Sequence, residues 1–265
     1  AHKVSGGQKA PTYSRGDLTK DCHLTRDEIF RAAATLKAKN APTIDGKYVA
    51  IIHPYTAYDI MSSDDWIDVN KYSNATKIFN GEIGSLGGGR FFETTEAKVF
   101  LPGKIFGGGE SSAVVAAEAA SSTTTIKVSG VFTKASTTVK VYVNGTANTI
   151  TAVSANSSEG TTTLTLGTAL AAAVPAGSVV CGTGASKSAG AVFSTLVLGA
   201  HAYATTELSG GGLQHIVKQL GYGDDPLNQR SSSGWKATKT AAILNQFYMV
   251  RIESINDYSA VISEN

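Results

Sequence analysis

His53 directly follows a short apolar run, and three carboxylates trail it at Asp59, Asp64 and Asp65. Imidazole and carboxylate are ligand types of a divalent-metal site, but such a site needs three or four ligands converging at characteristic spacings. These four match no ligand motif, and a turn histidine followed by an acidic, solvated helix start is the plainer reading. His201 and His215 have no cysteine or carboxylate at a meaningful spacing and read as ordinary, partly buried histidines. Gly182-Thr183-Gly184-Ala185-Ser186-Lys187-Ser188 loosely follows the order of a phosphate loop. It lacks the glycine directly before the lysine, and no apolar helix follows, so a flexible linker fits better. Asp224 and Asp225 form an acid pair, yet ahead of Pro226 they serve as acceptors for local backbone N–H groups. Ser231, Ser232 and Ser233 lack the nucleophile-elbow pattern. Arg15-Gly16-Asp17 is a tripeptide that chance supplies, and the sequons at Asn74 and Asn144 carry weight only beside a secretion signal. The assignment is therefore no catalytic residue, no cofactor-binding residue, no metal ligand and no cofactor: the chain reads as a protein that is not an enzyme.

Bulk properties narrow the class. A chain of 265 residues makes one large domain or two smaller ones. Hydrophobic residues are 42% of it, enough for a packed core, whereas charged residues are only 17%. That is below the roughly 25% of ordinary soluble domains. Sparse charge with 28 glycines fits a protein that hides much of its surface against neighbours, and equally a secreted β-protein. A net charge of +2 is too small to grip nucleic acid by bulk electrostatics. Cys22 and Cys181 lie far apart in no ligand pattern, which suggests no disulfide framework and a reducing compartment. No apolar run approaches the ~20 residues of a membrane span. The opening Ala1 points to processing or to a longer polypeptide, and 1–24 reads as an irregular lead-in.

The elements follow from periodicity. Thr25-Arg26-Asp27-Glu28 is a capping box, in which the Thr25 hydroxyl accepts from the Glu28 N–H. Ile29, Ala33 and Leu36 then share one helical face beside Phe30, and Asn40 and Pro42 end the helix. Tyr48-Val49-Ala50-Ile51-Ile52 reads as a buried strand. Pro54 suits the first turn of a second helix carrying Tyr55, Tyr58 and Ile60, and Ser63 is a candidate N-cap for a third carrying Trp66, Ile67 and Val69. Strands are expected over 90–94 and 98–101, so helix and strand mix without βαβ alternation: an α+β class. From about residue 110 the chain turns to Thr, Ser, Ala and Val. Alternating strands are expected at 123–129, 137–143, 146–154 and 161–166, with Asn144-Gly145 as a hairpin turn and 156–160 as a second one. This describes a small all-β domain, immunoglobulin-like or β-barrel, inserted at 110–189 between 25–109 and 190–265, with 182–190 as its exit linker. Beyond it, 192–198 is a strand, 213–220 a strand or short helix, 241–244 helical or extended, and 247–252 a strand.

Three stretches together carry a resemblance. They are Gly46-Lys47-Tyr48-Val49-Ala50-Ile51-Ile52-His53-Pro54 with Tyr58-Asp59-Ile60-Met61 and Trp66; then Phe79-Asn80-Gly81-Glu82-Ile83-Gly84 with Gly89-Arg90-Phe91-Phe92-Glu93-Thr94-Thr95-Glu96-Ala97; and last Asp225-Pro226-Leu227-Asn228-Gln229-Arg230, Gly234-Trp235-Lys236, Ala242-Ile243-Leu244-Asn245 and Met249-Val250-Arg251-Ile252-Glu253. In this order they resemble the N4-like major capsid protein family of tailed bacteriophages, over about 24–106 and 192–253. The resemblance implies the capsid fold shared by tailed phages and herpesviruses, with an axial and a peripheral domain packing into hexamers and pentamers of an icosahedral head. It implies self-association, a portal partner, cement, decoration or scaffolding proteins, weak non-specific contact with packaged double-stranded DNA, and no membrane. The place of work would be the virion, assembled in the host cytoplasm. That fold opens with an extended arm, a long hairpin loop and a spine helix, and nothing in 1–19 can supply the last two. The Tyr- and Trp-bearing stretch 55–72 suits subunit contacts and core packing alike. The insert would face outward and stiffen or decorate the shell. A rival reading is a surface binding module or adhesin with a carbohydrate-binding β-domain, but the insert offers only Phe132 and Tyr142 as aromatic platforms.

Overall fold

The computed structural model describes residues 2–5, 8–11, 14–63, 82–135, 140–207, 212–223 and 227–256. The chain runs β1 (His2–Ser5), β2 (Gln8–Pro11), α1 (Arg26–Ala38), β3 (Tyr48–Ile52), α2 (Pro54–Met61), β4 (Glu82–Leu86), β5 (Gly89–Glu93) and β6 (Val99–Phe100). It continues with β7 (Ser112–Val114), β8 (Thr125–Ser129), β9 (Lys140–Val143), β10 (Thr146–Asn156), β11 (Thr161–Leu166) and β12 (Val179–Cys181). The last elements are β13 (Val192–Leu198), β14 (Tyr203–Glu207), β15 (Gln214–Lys218), β16 (Ser232–Lys236), β17 (Lys239–Ile243) and β18 (Met249–Ser254). The class is α+β, strand-rich with few helices.

A sheet in the order β18-β13-β3-β5-β4 forms the body, with β6 beside β13. The β3–β5 pair is parallel and its connection passes through α2, while β13 is antiparallel to both β3 and β18. Period-two alternation sorts the sheet's faces. Tyr48, Ala50, Ile52, Phe91, Val197 and Ile252 point one way and pack with Ile29, Ala33 and Leu36 of α1 and Ala57 and Ile60 of α2. Both helices therefore cover the same face. On the other face Val49, Ile51, Phe92, Leu196 and Met249 are only half-buried.

The strands between β6 and β13 form a second sheet, β7-β12-β9-β10-β11-β8. Its end strands meet where Val115 bridges Val128 and the Ala116 N–H donates to Lys127 O at 2.8 Å, so the sheet closes into a barrel. Closure removes both free edges. Ile126, Val128, Val141, Val143, Ile150, Leu164 and Leu166 fill the interior. Thr162 also points inward, and its hydroxyl is satisfied: it donates to Gly130 O at 2.7 Å and accepts from the Phe132 N–H at 2.8 Å. Asn144 and Gly145, at φ 45° and 87°, form the β9–β10 turn that the Asn-Gly pair predicts. The short strands β7 and β12 escaped the sequence reading, because three residues are too few to show a period.

Several expectations need correction. The Thr25 side chain makes no capping bond, although helix α1 starts where it should. Residues 1–24 are not irregular throughout: β1 pairs with β2, and Arg15–Asp17 form a 3-10 turn. The stretch 182–190 is no flexible linker. Ala185, Ala189 and Val192 pack with Leu18, Cys22 and Ile255, and the buried Ser186 hydroxyl donates to Leu18 O at 2.7 Å while accepting from Ala189 N–H at 2.9 Å. Gly182 is required there, since a Cβ would collide with the Gly103 carbonyl. The 213–220 and 241–244 ambiguities resolve as strands β15 and β17, and a 3-10 turn at Gln246–Tyr248 precedes β18. The third helix, with Trp66 and the carboxylates Asp64 and Asp65, and the pair Asp224 and Asp225 lie outside the described residues.

Candidate assembly surfaces

Among the described residues, those weighed for chemistry do not converge. Among the described residues no three of His, Cys, Asp and Glu stand together as metal ligands. His53 instead caps α2: its Nδ1 accepts from the Tyr55 N–H at 3.2 Å. The ring is buried against Tyr55 and Phe193, at centroid distances of 5.0 and 5.1 Å, and burial holds its pKa below the usual imidazole value. His201 and His215 are exposed rather than partly buried; His215 Nε2 lies 2.8 Å from Ser233 Oγ. Cys22 and Cys181 are free and buried, and desolvation pushes the Cys181 thiol up to about 12, so it stays protonated and poorly reactive. The described helices include none long and apolar enough to cross a membrane.

Arg15 and Asp17, dismissed as a chance tripeptide, hold the amino-terminal strap to the body. Arg15 donates from Nε and Nη2 to the two Glu253 oxygens at 2.8 and 2.7 Å, and its guanidinium lies 3.4 Å from the Phe100 centroid. This bidentate bond holds the Glu253 carboxyl below its ordinary pKa. Asp17 pairs with Lys187 at 3.2 Å. With Arg15 and Glu253 separated by 238 positions in the sequence, no local spacing announces the contact.

The candidate contact surface is where apolar residues remain uncovered. β14 pairs with β17 and β15 with β16, both antiparallel. The two pairings, 203–207 with 239–243 and 214–218 with 232–236, make up a ribbon of two short two-stranded sheets between β13 and β18. Every described residue from 212 to 244 is exposed. Leu213 is 77% exposed, Leu227 72% and Trp235 75%, with Val217, Leu220, Tyr222 and Leu244 also open. A two-stranded ribbon is at best marginal alone in water. An uncovered apolar stretch of this size marks a contact surface.

At the ribbon's base a cleft of about 800 Å³ opens over the uncovered sheet face. Leu196, Met249 and Phe247 give it an apolar lining, and Arg15, Lys39, Arg251 and Glu253 line it too, with Glu253 paired to both arginines. Lys39 Nζ stands 5.1 Å over the Phe247 ring. The chain thus presents an apolar projection and a recess, a constellation suited to subunit contacts.

Residues 17–206, well over half of the chain, match a family described as phage capsid protein. The chain belongs to that family. No curated protein matches it. The matched span runs from the strap through the body sheet and barrel into β14. A phage capsid protein is a structural component of the virion, and membership implies self-assembly into a shell.

Proposed function

We propose that this capsid protein forms the hexamers and pentamers of an icosahedral tailed-phage head enclosing double-stranded DNA. In this reading it is an N4-like major capsid protein with the axial-and-peripheral fold, assembled in the host cytoplasm. The observation that carries the reading is the ribbon: its apolar side chains have no interior of their own and gain one only from another subunit. Residues 25–109 and 190–265 then form the shell body, discontinuous in sequence. The barrel of 110–189 is an inserted domain facing outward, where it stiffens or decorates the shell. Its separate hydrophobic core supports that division. A net charge of +2 suits a wall that encloses DNA without gripping it. Portal, cement and scaffolding proteins are the further partners, and the reading assigns the chain no enzymatic role.

Negative-stain electron microscopy of the full chain, paired with size-exclusion chromatography, tests this. Uniform shells, or rings of five and six subunits, are expected. A monomer that never assembles at high concentration would sink the reading. Replacing 110–189 with a short linker tests the role of the barrel: shells that form but melt at lower temperature are expected, and unchanged melting would remove the stiffening role.

A further inference from the structure

The ribbon and the cleft are different patches on one chain that touch at Ile243. The cleft wall includes Ile243 and Phe247 at the base of the ribbon, and from there the ribbon leads away with every described residue from 212 to 244 exposed. We propose that the ribbon of one copy seats in the cleft of the next, with Trp235 as its anchor, so that subunits join head to tail. The inference rests on the shell-forming reading above and specifies its contact.

Three observations select a second copy as the occupant. The first is area. Tyr203, Tyr222 and Trp235 are 53%, 67% and 75% exposed. At ~150–250 Å² per aromatic side chain, these rings alone leave roughly 400 Å² uncovered. Leu213, Leu220 and Leu227 extend that toward the ~800 Å² per partner of a stable interface. The second is chemistry. Leu196, Phe247 and Met249 suit a large aromatic ring, and Lys39 beside them adds positive charge, while Arg15 and Arg251 are paired with Glu253. By sequence, the stretch 219–231 between β15 and β16 also carries two acids, Asp224 and Asp225, against a single basic residue, Arg230. The third is continuity. β13 and β18, whose Leu196 and Met249 line the floor, are the strands that lead into and out of the ribbon. Each subunit therefore offers both halves of one contact. Unlike patches make a heterologous interface, which closes into rings when the rotation allows it.

Complementation tests the pairing. One full-length variant loses the anchor (Trp235→Ser with Tyr222→Ser) and another loses the floor (Phe247→Ser with Met249→Glu). All four positions are exposed or half-buried, so thermal unfolding within a few degrees of wild type is expected and serves as the folding control. Sedimentation velocity should show each variant alone as monomer, at concentrations where wild type is assembled. An equimolar mixture should give 1:1 dimers that grow no further, because one intact ribbon meets one intact cleft. Wild-type assembly with assembly of either variant alone would overturn the pairing while leaving the capsid reading intact. So would monomeric variants whose mixture stays monomeric. A wild type that never assembles would remove the capsid reading itself, and the pairing with it.

Discussion

The barrel and the ribbon are both antiparallel β-structure with alternating side chains, yet they use the alternation in opposite ways. In the barrel, β11 reads Thr-Thr-Thr-Leu-Thr-Leu: Leu164 and Leu166 are buried and Thr163 and Thr165 face outward, half-covered. Six strands close on themselves, so every inward residue meets another. In the ribbon, Trp235 stands across from His215 with no second layer behind it. Alternation makes a strand, whereas closure decides whether its apolar side gains an interior. The barrel carries its own core, and the ribbon borrows one.

The largest expected effect sharpens this contrast. Leu164→Ala removes a fully buried side chain from a closed interior and should cost about 3 kcal/mol in chemical denaturation of the monomer. Trp235→Ala deletes a larger side chain from the ribbon and should cost the monomer no more than about 0.5 kcal/mol. If the two substitutions destabilise the monomer equally, the ribbon has an interior after all and the contrast fails. Amide hydrogen exchange gives a second measure. Amides of β15 and β16 should exchange rapidly in the monomer and slow by more than tenfold on assembly, while those of β11 should be protected in both states.

The strap lies between the two regimes, since a charged clamp and a small apolar cluster around Leu18 and Cys22 hold it. Arg15→Ala should destabilise the protein by about 1–2 kcal/mol, the range for a bidentate, partly exposed pair. The pH dependence has a definite sign. The folded Glu253 carboxyl sits below its ordinary pKa, chiefly through the hydrogen bonds from Arg15. Its contribution is fully present above the unfolded carboxylate value and is lost as pH falls through the folded one. Unfolding midpoints of wild type and Arg15→Ala should therefore converge in acid. A gap that persists at pH 2 would assign the strap to packing.

What was legible in the sequence follows the same division. The helix from Arg26, the strand Tyr48–Ile52 with Pro54 opening the next helix, and the Asn144-Gly145 hairpin all rest on local chemistry, and each formed as expected. The resemblance likewise held at the level of phage capsid proteins. The misses are non-local. Arg15 finds Glu253 only through the fold. Residues 182–190 look like a linker until the strap covers them. The ribbon was split into an ambiguous helix-or-strand stretch and a helical-or-extended run, because its strands show only weak period-two patterning. With every residue of β15, β16 and β17 exposed, no buried side imposes an alternation. The stretch 55–72, which suits subunit contacts and core packing alike, lies outside the described residues from Asp64 onward; its described part has Tyr55 half-buried beside His53 and Tyr58 exposed.

The smallest expected effect concerns the histidine that caps α2. His53 Nδ1 is an acceptor for the Tyr55 N–H, so protonation there removes the α2 cap and puts a cation at the positive end of a helix, between two aromatic rings. Burial lowers the folded pKa. The unfolded chain therefore takes up the proton first, and stability falls as pH drops below about 6.5, levelling off beneath the folded value. His53→Asn keeps a capping acceptor and removes the titration. Thermal unfolding between pH 7 and pH 5 should slope downward for wild type, by under about 1 kcal/mol, and run flatter for the variant. Parallel slopes would transfer the acid sensitivity to other groups and leave His53 as a cap alone. A flatter variant would show that the body, unlike the ribbon, senses acid through a group in its own packed interior, with no neighbouring subunit needed.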